Sequence, residues 1–210
     1  SKENSSDKYE FILPNFSLSK MLNTGFDGSM EISTFGYNKL YNTNTNEKIL
    51  VNNLNYKSQD SIKNSGLINN FEFLFKNFNA DSKNSSNFKN RSENNIRGIF
   101  QFNSKFPLKK NGKKYLSTLT PIFVAKFNPQ NNKNINNEER LIDYSNIYSI
   151  DRLNSSTTLE GGESVTIGNE FKLFNNIDKS EIFSLNLAGS FRADENFDLP
   201  KSSYISQKTS

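Results

Sequence analysis

Apolar and polar side chains alternate over unusually long segments of this chain, and this pattern limits its fold more than any other feature. In the clearest segment, 181–192, Phe183, Leu185, Leu187 and Phe191 alternate with polar residues. A period of two predicts a β-strand with one apolar and one polar face. Comparable segments lie at residues 9–22, 29–40, 49–56, 67–76, 96–106, 115–127 and 164–174.

In the second half of the chain, the links between these segments alternate between long and short. Residues 77–95, 128–163 and 193–203 form long polar links, whereas 109–114 and 175–181 are short. Outer-membrane barrels show this asymmetry, and their tilted strands need about 9–11 residues to cross. The sequence therefore predicts an all-β fold, an antiparallel up-and-down meander that forms a partial wall of a large outer-membrane β-barrel. On periodicity alone, a soluble β-sandwich stays open.

In such a wall the apolar side of each strand faces acyl chains, and the polar side faces a hydrated interior. The predicted lipid-facing band consists of Phe71, Phe73, Phe75, Phe100, Phe102, Phe123, Phe127, Val165, Ile167, Phe171, Phe183, Leu185, Leu187 and Phe191. Proline donates no ladder hydrogen bond, so we expect an edge, a strand start or a bulge at Pro14 and a bulge or strand boundary at Pro121. A further strand is expected to begin at Tyr204.

The composition argues against several other classes of protein. Only 33% of the 210 residues are hydrophobic, yet 19 are Phe and 8 are Tyr. A disordered chain would be poor in such rings. The formal charge of +4 is the balance of 26 basic and 22 acidic residues spread along the chain. This spread indicates a mixed solvated surface, and no nucleic-acid partner is expected.

The catalytic and metal-binding residues that most enzymes use are scarce in this sequence. It contains no Cys and no His, which excludes thiol, serine-triad and zinc chemistry within these residues. Nothing fixes the separation of the carboxylates in the long link at 128–163, so general acid–base catalysis is not expected. The run from Asp194 to Asp198 begins like a calcium loop, but Leu199 stands where that loop requires Gly. We predict no catalytic residue, no cofactor and no metal.

The long link at 128–163 and the strand after it carry the most specific sequence. They contain Asp143, Asn146-Ile147-Tyr148-Ser149-Ile150-Asp151-Arg152-Leu153, Glu160-Gly161-Gly162 and Ile167-Gly168-Asn169-Glu170-Phe171. The barrel domain of the lipopolysaccharide-assembly family LptD, also called the organic solvent tolerance family, contains similar features in the same order. These are an acidic residue, a segment like Asn146–Leu153, an EGG-like turn and a strand like Ile167–Phe171. This part of the chain resembles that domain, and the resemblance covers residues 115–192.

The resemblance implies a non-enzymatic component of the bacterial outer membrane that inserts lipopolysaccharide into the outer leaflet. Residues 1–210 would be an internal fragment of the barrel domain, in contact with lipopolysaccharide and outer-membrane lipid. An LptE-like lipoprotein plug and a periplasmic Lpt bridge would act through parts outside the fragment. A porin or TonB-dependent receptor barrel and a secreted β-sandwich or adhesin are the alternatives.

The candidate motif residues in the long link are Asp143, Asn146, Arg152, Glu160, Gly161 and Gly162. Arg152 has two possible roles. It could pair with Asp143, Asp151 or Glu160 and fold the link over the barrel mouth, or it could contact lipopolysaccharide phosphates, which a guanidinium fork fits. The two glycines predict a sharp turn into the next strand, because glycine accepts a positive φ.

Overall fold

The computed structural model describes residues 10–23, 25–41 and 44–202, and over these residues the chain forms one antiparallel sheet. Its strands are β1 (Glu10–Leu22), β2 (Ser29–Tyr41), β3 (Asn46–Lys57), β4 (Ser61–Ile62), β5 (Ile68–Lys83), β6 (Glu93–Lys105), β7 (Leu108–Asn111), β8 (Tyr115–Asn128), β9 (Gly162–Asn175) and β10 (Glu181–Arg192). The order is β1-β2-β3-β5-β6-β8-β9-β10, with β4 on β5 and β7 on β8. The predicted all-β meander is confirmed.

Within these described ranges the sheet is not closed and no second sheet covers it, unlike a β-sandwich. The same residues include no helix that is long and apolar enough to cross a membrane. The strand expected from Tyr204 lies outside the described residues.

The predicted bounds of the polar link at 77–95 are wrong at both ends. Strand β5 has 16 residues and continues to Lys83, and β6 already begins at Glu93. Phe78 and Ala80 extend the alternation of β5 and are buried against β3. The asparagines between them hid this pattern in the sequence, because asparagine usually marks turns.

In the second half of the chain the alternation of long and short links is confirmed, with narrower bounds. One end of the sheet carries the links 84–92 and 129–161 and the segment that follows β10 from residue 193. The opposite end carries the short turns 112–114 and 176–180. We call the first end the long-link end.

Pro14 lies at an irregularity of its own ladder, and Pro121 lies opposite a break between two neighbouring strands. Pro14 lies on the edge strand β1, where the register with β2 shifts between Ile12 and Asn15, as expected for a bulge. At Pro121 the expectation was wrong, because β8 runs through it without a bulge or a boundary. The break instead separates β6 from β7 opposite it, where Phe106 N–H donates to the Pro121 carbonyl at 3.0 Å. The missing N–H of Pro121 therefore faces the interrupted part of the neighbouring ladder.

The alternation gives the sheet two different faces. The open face carries Phe73 and Leu185 and is largely exposed, whereas the covered face carries Leu74 and Thr166 and packs against the links. The expectation of a polar face opposite the aromatic one is only partly correct. Two apolar clusters lie on the covered face: one contains Ile49, Val51, Phe78 and Ala80 with Phe35, Tyr37 and Phe88, and the other contains Leu74, Ile99, Ile150 and Leu159.

Candidate functional site

The link 129–161 packs along the covered face instead of arching over the end of the sheet. Ile150 and Leu159 from the link pack with Leu74 and Ile99 from the sheet. At its farthest point in β9, the link reaches Glu170, to which the Tyr144 hydroxyl donates at 3.0 Å. Glu170 lies eight residues into β9, about 26 Å along the strand at a rise of about 3.3 Å per residue. The link therefore lies against the wall and not over a barrel mouth, where the sequence predicts it.

The link has an apolar core of its own. This core consists of Ile135, Ile142, Ile147, Leu153 and Leu199, with Tyr148 packed against it. Leu199, which takes the place of the Gly that a calcium loop requires, comes from the segment after β10 and is fully buried there. Two backbone hydrogen bonds hold that segment to the link, Ile135 N–H to the Asp198 carbonyl at 2.8 Å and Lys201 N–H to the Asn136 carbonyl at 3.2 Å.

Arg152 is the centre of the contact between the link and the wall. Its side chain is fully buried, and its Nε and Nη2 donate to the two carboxylate oxygens of Glu160 at 2.5 Å each. Its Nη1 donates to Ser190 Oγ of β10 at 3.1 Å, and its Nη2 also donates to Ser164 Oγ of β9 at 3.3 Å. Such a bidentate pair fixes the guanidinium plane as well as its position. Of the three carboxylates considered from the sequence, Glu160 is the partner of Arg152, and the guanidinium presents no surface to a phosphate.

Three further cations join this contact from the strands. Arg192 of β10 makes an ion-pair contact with Glu160 through Nη2, although without hydrogen-bond geometry. Lys126 of β8 donates to the Ser149 carbonyl, and Lys76 of β5 forms an ion pair with Asp151 at 2.9 Å. Each of these three cationic side chains is buried by the link.

The charges in this cluster determine the ionisation of Glu160. Burial raises the pKa of Glu160, but the neighbouring guanidinium groups of Arg152 and Arg192 outweigh burial and hold this pKa well below its ordinary value. Glu160 is therefore ionised throughout the neutral range, and it is the carboxylate that joins Arg152 of the link to Arg192 of the wall.

Small residues on the covered face make room for the link. A Cβ built on Gly168 would lie 1.7 Å from the Tyr148 hydroxyl oxygen, so only glycine accommodates this ring. Tyr148 packs edge-on against Tyr144, with 5.7 Å between ring centroids and 89° between planes. Burial and the hydrogen bond to Glu170 raise the pKa of Tyr144, which keeps its hydroxyl protonated as a donor.

The six motif residues divide into three local structures. Arg152 and Glu160 form the buried pair, and Gly162 takes a φ of +85° at the turn into β9. Gly161 lies where a Cβ would be 2.5 Å from the Gln130 carbonyl oxygen. Asp143 and Asn146 form a separate turn, in which the carboxylate of Asp143 accepts hydrogen bonds from the N–H of Ser145 at 2.8 Å and from its hydroxyl at 2.6 Å. These hydrogen bonds lower the pKa of Asp143.

Sequence reasoning missed the wall side of the cluster. Five strand residues in and around the contact with Arg152 and Glu160 were not predicted, namely Lys126, Ser164, Thr166, Ser190 and Arg192. The available signal was that Lys126 and Arg192 stand near the ends of their strands at the long links, on the side away from the aromatic residues. No local pattern shows that Glu160 will reach Arg192.

All fourteen residues of the predicted band lie on the open face. Eleven are exposed, namely Phe71, Phe73, Phe100, Phe102, Phe123, Phe127, Ile167, Phe183, Leu185, Leu187 and Phe191. Phe75, Val165 and Phe171 are half-buried. The register places them next to one another across the strands, since Phe71 pairs with Phe102 and Val165 pairs with Phe191. This continuous apolar surface is larger than the scattered apolar residues usual on soluble proteins.

This sheet has the features of a segment of a β-barrel wall of the outer-membrane type, namely long antiparallel strands, an open apolar face and a covered face packed against its own link. A family model described as "LptD: LPS transport system D" matches residues 73–210. Because the match includes more than half of the chain, the chain belongs to the LptD family, a lipopolysaccharide transport and assembly family. No curated protein matches the sequence.

The matched region begins inside β5, so β1 to β4 lie outside it. These strands nevertheless continue the same sheet, with an unbroken register between β3 and β5. The recognition made from the link motif is thus confirmed, and the family match extends beyond residues 115–192 on both sides.

Proposed function

We propose that this chain is part of the wall of an outer-membrane β-barrel that inserts lipopolysaccharide into the outer leaflet. The observation that carries this proposal is the continuous apolar band on the open face, opposite a face that the chain covers with its own link. In the proposed arrangement the open face meets acyl chains and the covered face looks into the barrel interior. The family match supports the lipopolysaccharide chemistry.

The strand lengths agree with a wall that spans a bilayer. In the part of the chain that the structure describes, eight strands have 12–16 residues. About 9–11 residues are enough for a strand tilted by about 45° to cross the hydrocarbon region. The remaining residues of each strand extend past the hydrocarbon, where the links begin.

In this proposal residues 1–210 belong to one barrel domain, which lies in the bacterial outer membrane and catalyses no reaction. Its partners are lipopolysaccharide and outer-membrane lipid. An LptE-like lipoprotein plug and a periplasmic Lpt bridge act through other parts of the complex. The link 129–161 would occupy part of the barrel interior beside such a plug, because it already lies against the covered face.

A charge placed on the open face tests the proposal. Leu185 is 46% exposed on that face, and Leu185→Arg in the full-length protein should cost roughly 2–4 kcal/mol of folding free energy near the bilayer midplane. Asn186→Arg is the matched control, because Asn186 is the adjacent exposed residue and points to the covered face beside Glu170. Folding yield into lipid vesicles is the measurement.

We expect the Leu185 variant to fold poorly and the Asn186 variant to fold like the parent protein. If both variants fold equally well, the open face does not meet lipid. A protein that stays folded and monomeric in water without detergent would also contradict the proposal.

A further inference from the structure

A hydrogen-bonded chain of polar side chains crosses the open face of four strands. Thr34 Oγ1 donates to Asn52 Oδ1 at 2.7 Å, and Asn52 Nδ2 donates to Asn77 Oδ1 at 3.2 Å. Asn79 Nδ2 donates to the same Asn77 oxygen at 2.6 Å, and Asn94 Nδ2 donates to Asn79 Oδ1. We call these five residues the amide chain. They lie on the same face as the aromatic band, where polar groups are not expected.

The strand register fixes the level of the amide chain. Thr34, Asn52 and Asn77 pair in one row across β2, β3 and β5. Asn79 and Asn94 pair in the next open-face row towards the long-link end, and Lys48 pairs with Asp81 one row further. On the other side of the amide chain the open face turns apolar, and its first row includes Leu54 and Phe75. The amide chain is therefore the boundary between charged and apolar rows.

This boundary shortens the apolar surface on β5. The open-face apolar run on β5 extends from Phe71 to Phe75, whereas on β10 it extends from Phe183 to Phe191. At about 3.3 Å per residue these runs measure about 13 Å and about 26 Å along the strand, which corresponds to heights of roughly 10 Å and 20 Å for strands tilted by about 40°. An outer-membrane barrel usually presents an apolar band about 25 Å tall. Next to β5, a bilayer of ordinary thickness would bring Asn77 and Asn79 into hydrocarbon.

The amide chain satisfies only part of its own hydrogen-bonding capacity. Each asparagine amide has two N–H donors and an oxygen with two lone pairs, and the contacts within the chain use about half of these. Polar groups that lack partners are costly in hydrocarbon. A groove of about 360 Å³ lies directly beside the chain, lined in part by Lys48, Asp81 and Asn94. Glu93 also lines the groove and is paired with Lys89. The Lys48 ammonium and the amides can donate to headgroup phosphates, and the Asp81 carboxylate can accept hydrogen bonds from headgroup hydroxyls.

We propose that the amide chain and this groove form a headgroup-binding surface on the wall. Lipid headgroups bearing phosphate and hydroxyl groups, in the leaflet at the long-link end, bind there, and the apolar part of the bilayer is thinner beside β3 and β5 than beside β9 and β10. The inference rests on the proposed function in one respect, that the open face meets lipid. It adds a particular lipid contact to that face.

Spin labels on introduced cysteines measure this depth without disturbing the amide chain. Ile96 pairs with Asn77, is 50% exposed and lies outside the chain, while Phe100 lies four residues further along the same strand. Ile96→Cys, Phe100→Cys and Ile167→Cys are made in the full-length protein, which is then folded into phosphatidylglycerol-containing vesicles. Relaxation by a water-soluble nickel chelate is compared with relaxation by oxygen, which concentrates in hydrocarbon.

We expect the Ile96 label to be relaxed several-fold more by the nickel chelate than the other two labels, and less by oxygen. An Ile96 label that behaves like the Phe100 label would place the amide chain in hydrocarbon and overturn the inference. Shielding of the Ile96 label from both reagents would overturn it as well, because a protein partner would then cover the surface. If the Phe100 and Ile167 labels are themselves accessible to nickel, the proposed function fails instead.

Removing the amides provides a second test. In the Asn52→Leu/Asn77→Leu variant the apolar surface extends by one row, so the Ile96 label should move several-fold towards oxygen accessibility. The Phe100 label should stay unchanged, which shows that the wall has folded. Asn55→Leu on the covered face is the matched control and should leave the Ile96 label as in the parent protein. An Ile96 label that does not respond to the double variant would contradict the inference.

Discussion

Replacing Glu160 by glutamine tests whether the buried charge cluster holds the link against the wall. Glu160 is buried and contacts the guanidinium groups of both Arg152 and Arg192. Glu160→Gln keeps the shape of the side chain but removes its charge. Two buried guanidinium groups then face each other near Lys126 without a carboxylate to compensate them.

The size of the expected effect follows from the burial of the Arg152–Glu160 ion pair. Removing one partner of a buried ion pair costs roughly 3–5 kcal/mol, because the remaining charge stays desolvated. The link can escape this cost by leaving the wall, which returns Arg152 to water. We therefore expect the equilibrium for local opening of the link to shift by roughly two to four powers of ten, since about 1.4 kcal/mol corresponds to a factor of ten.

Hydrogen exchange of the backbone amides in 129–161 measures this opening in the folded protein. Protection should fall strongly in the link and remain unchanged in the centre of β5 and β6. Glu138→Gln is the control within the same link, because the Glu138–Arg140 pair at 2.6 Å is partly exposed and such pairs contribute about 0–1 kcal/mol. If the Glu160 variant keeps the protection of the parent link, the cluster does not hold the link in place.

Three other perturbations address the link and the wall separately. Gly168→Ala should cost about 1–3 kcal/mol of link docking, because the new Cβ meets the Tyr148 hydroxyl and, on β10, the Leu187 carbonyl oxygen, and exchange should rise in the link and in the pairing of β9 with β10 beside Leu187. Phe78→Ala should lower the free energy of unfolding of the wall by about 3–5 kcal/mol in urea titrations, because Phe78 is buried, whereas open-face Phe73→Ala should cost less. Acidification should undock the link only well below the ordinary pKa of Glu160, because the pKa of Glu160 is lowered in the folded protein. The ionised carboxylate stabilises the docked link above the unfolded-state pKa, and this stabilisation is lost as the pH falls through the folded-state pKa. Link exchange that already rises near pH 5 would contradict this assignment.

Several parts of the fold could be predicted from local pattern. The period of two placed the residues of the aromatic band on one face, and the turn at Gly161-Gly162 followed from glycine alone. The end of β5 could not be predicted in this way. Its open-face asparagines suggested a loop, whereas Phe78 and Ala80 become buried only because β3 supplies Ile49 and Val51 opposite them.

The candidate site also combines residues that the local sequence pattern predicts with contacts that it does not predict. The motif pointed to Arg152 and Glu160, but the sequence left three carboxylates as possible partners and placed the link over a barrel mouth. Arg192 and Ser190 lie about forty residues from Arg152 in the chain, and their contacts with the cluster depend on the pairing of β9 with β10. No local preference of the chain encodes a contact of this kind.

The sequence by itself determined the strand type, the two-faced pattern and the family, because backbone alternation and the link motif are local properties of the chain. Only the tertiary structure decided which charges meet and where the long link lies. Those contacts form when strands distant in sequence pair in one register, and it is this register that brings Glu160 between Arg152 of the link and Arg192 of the wall.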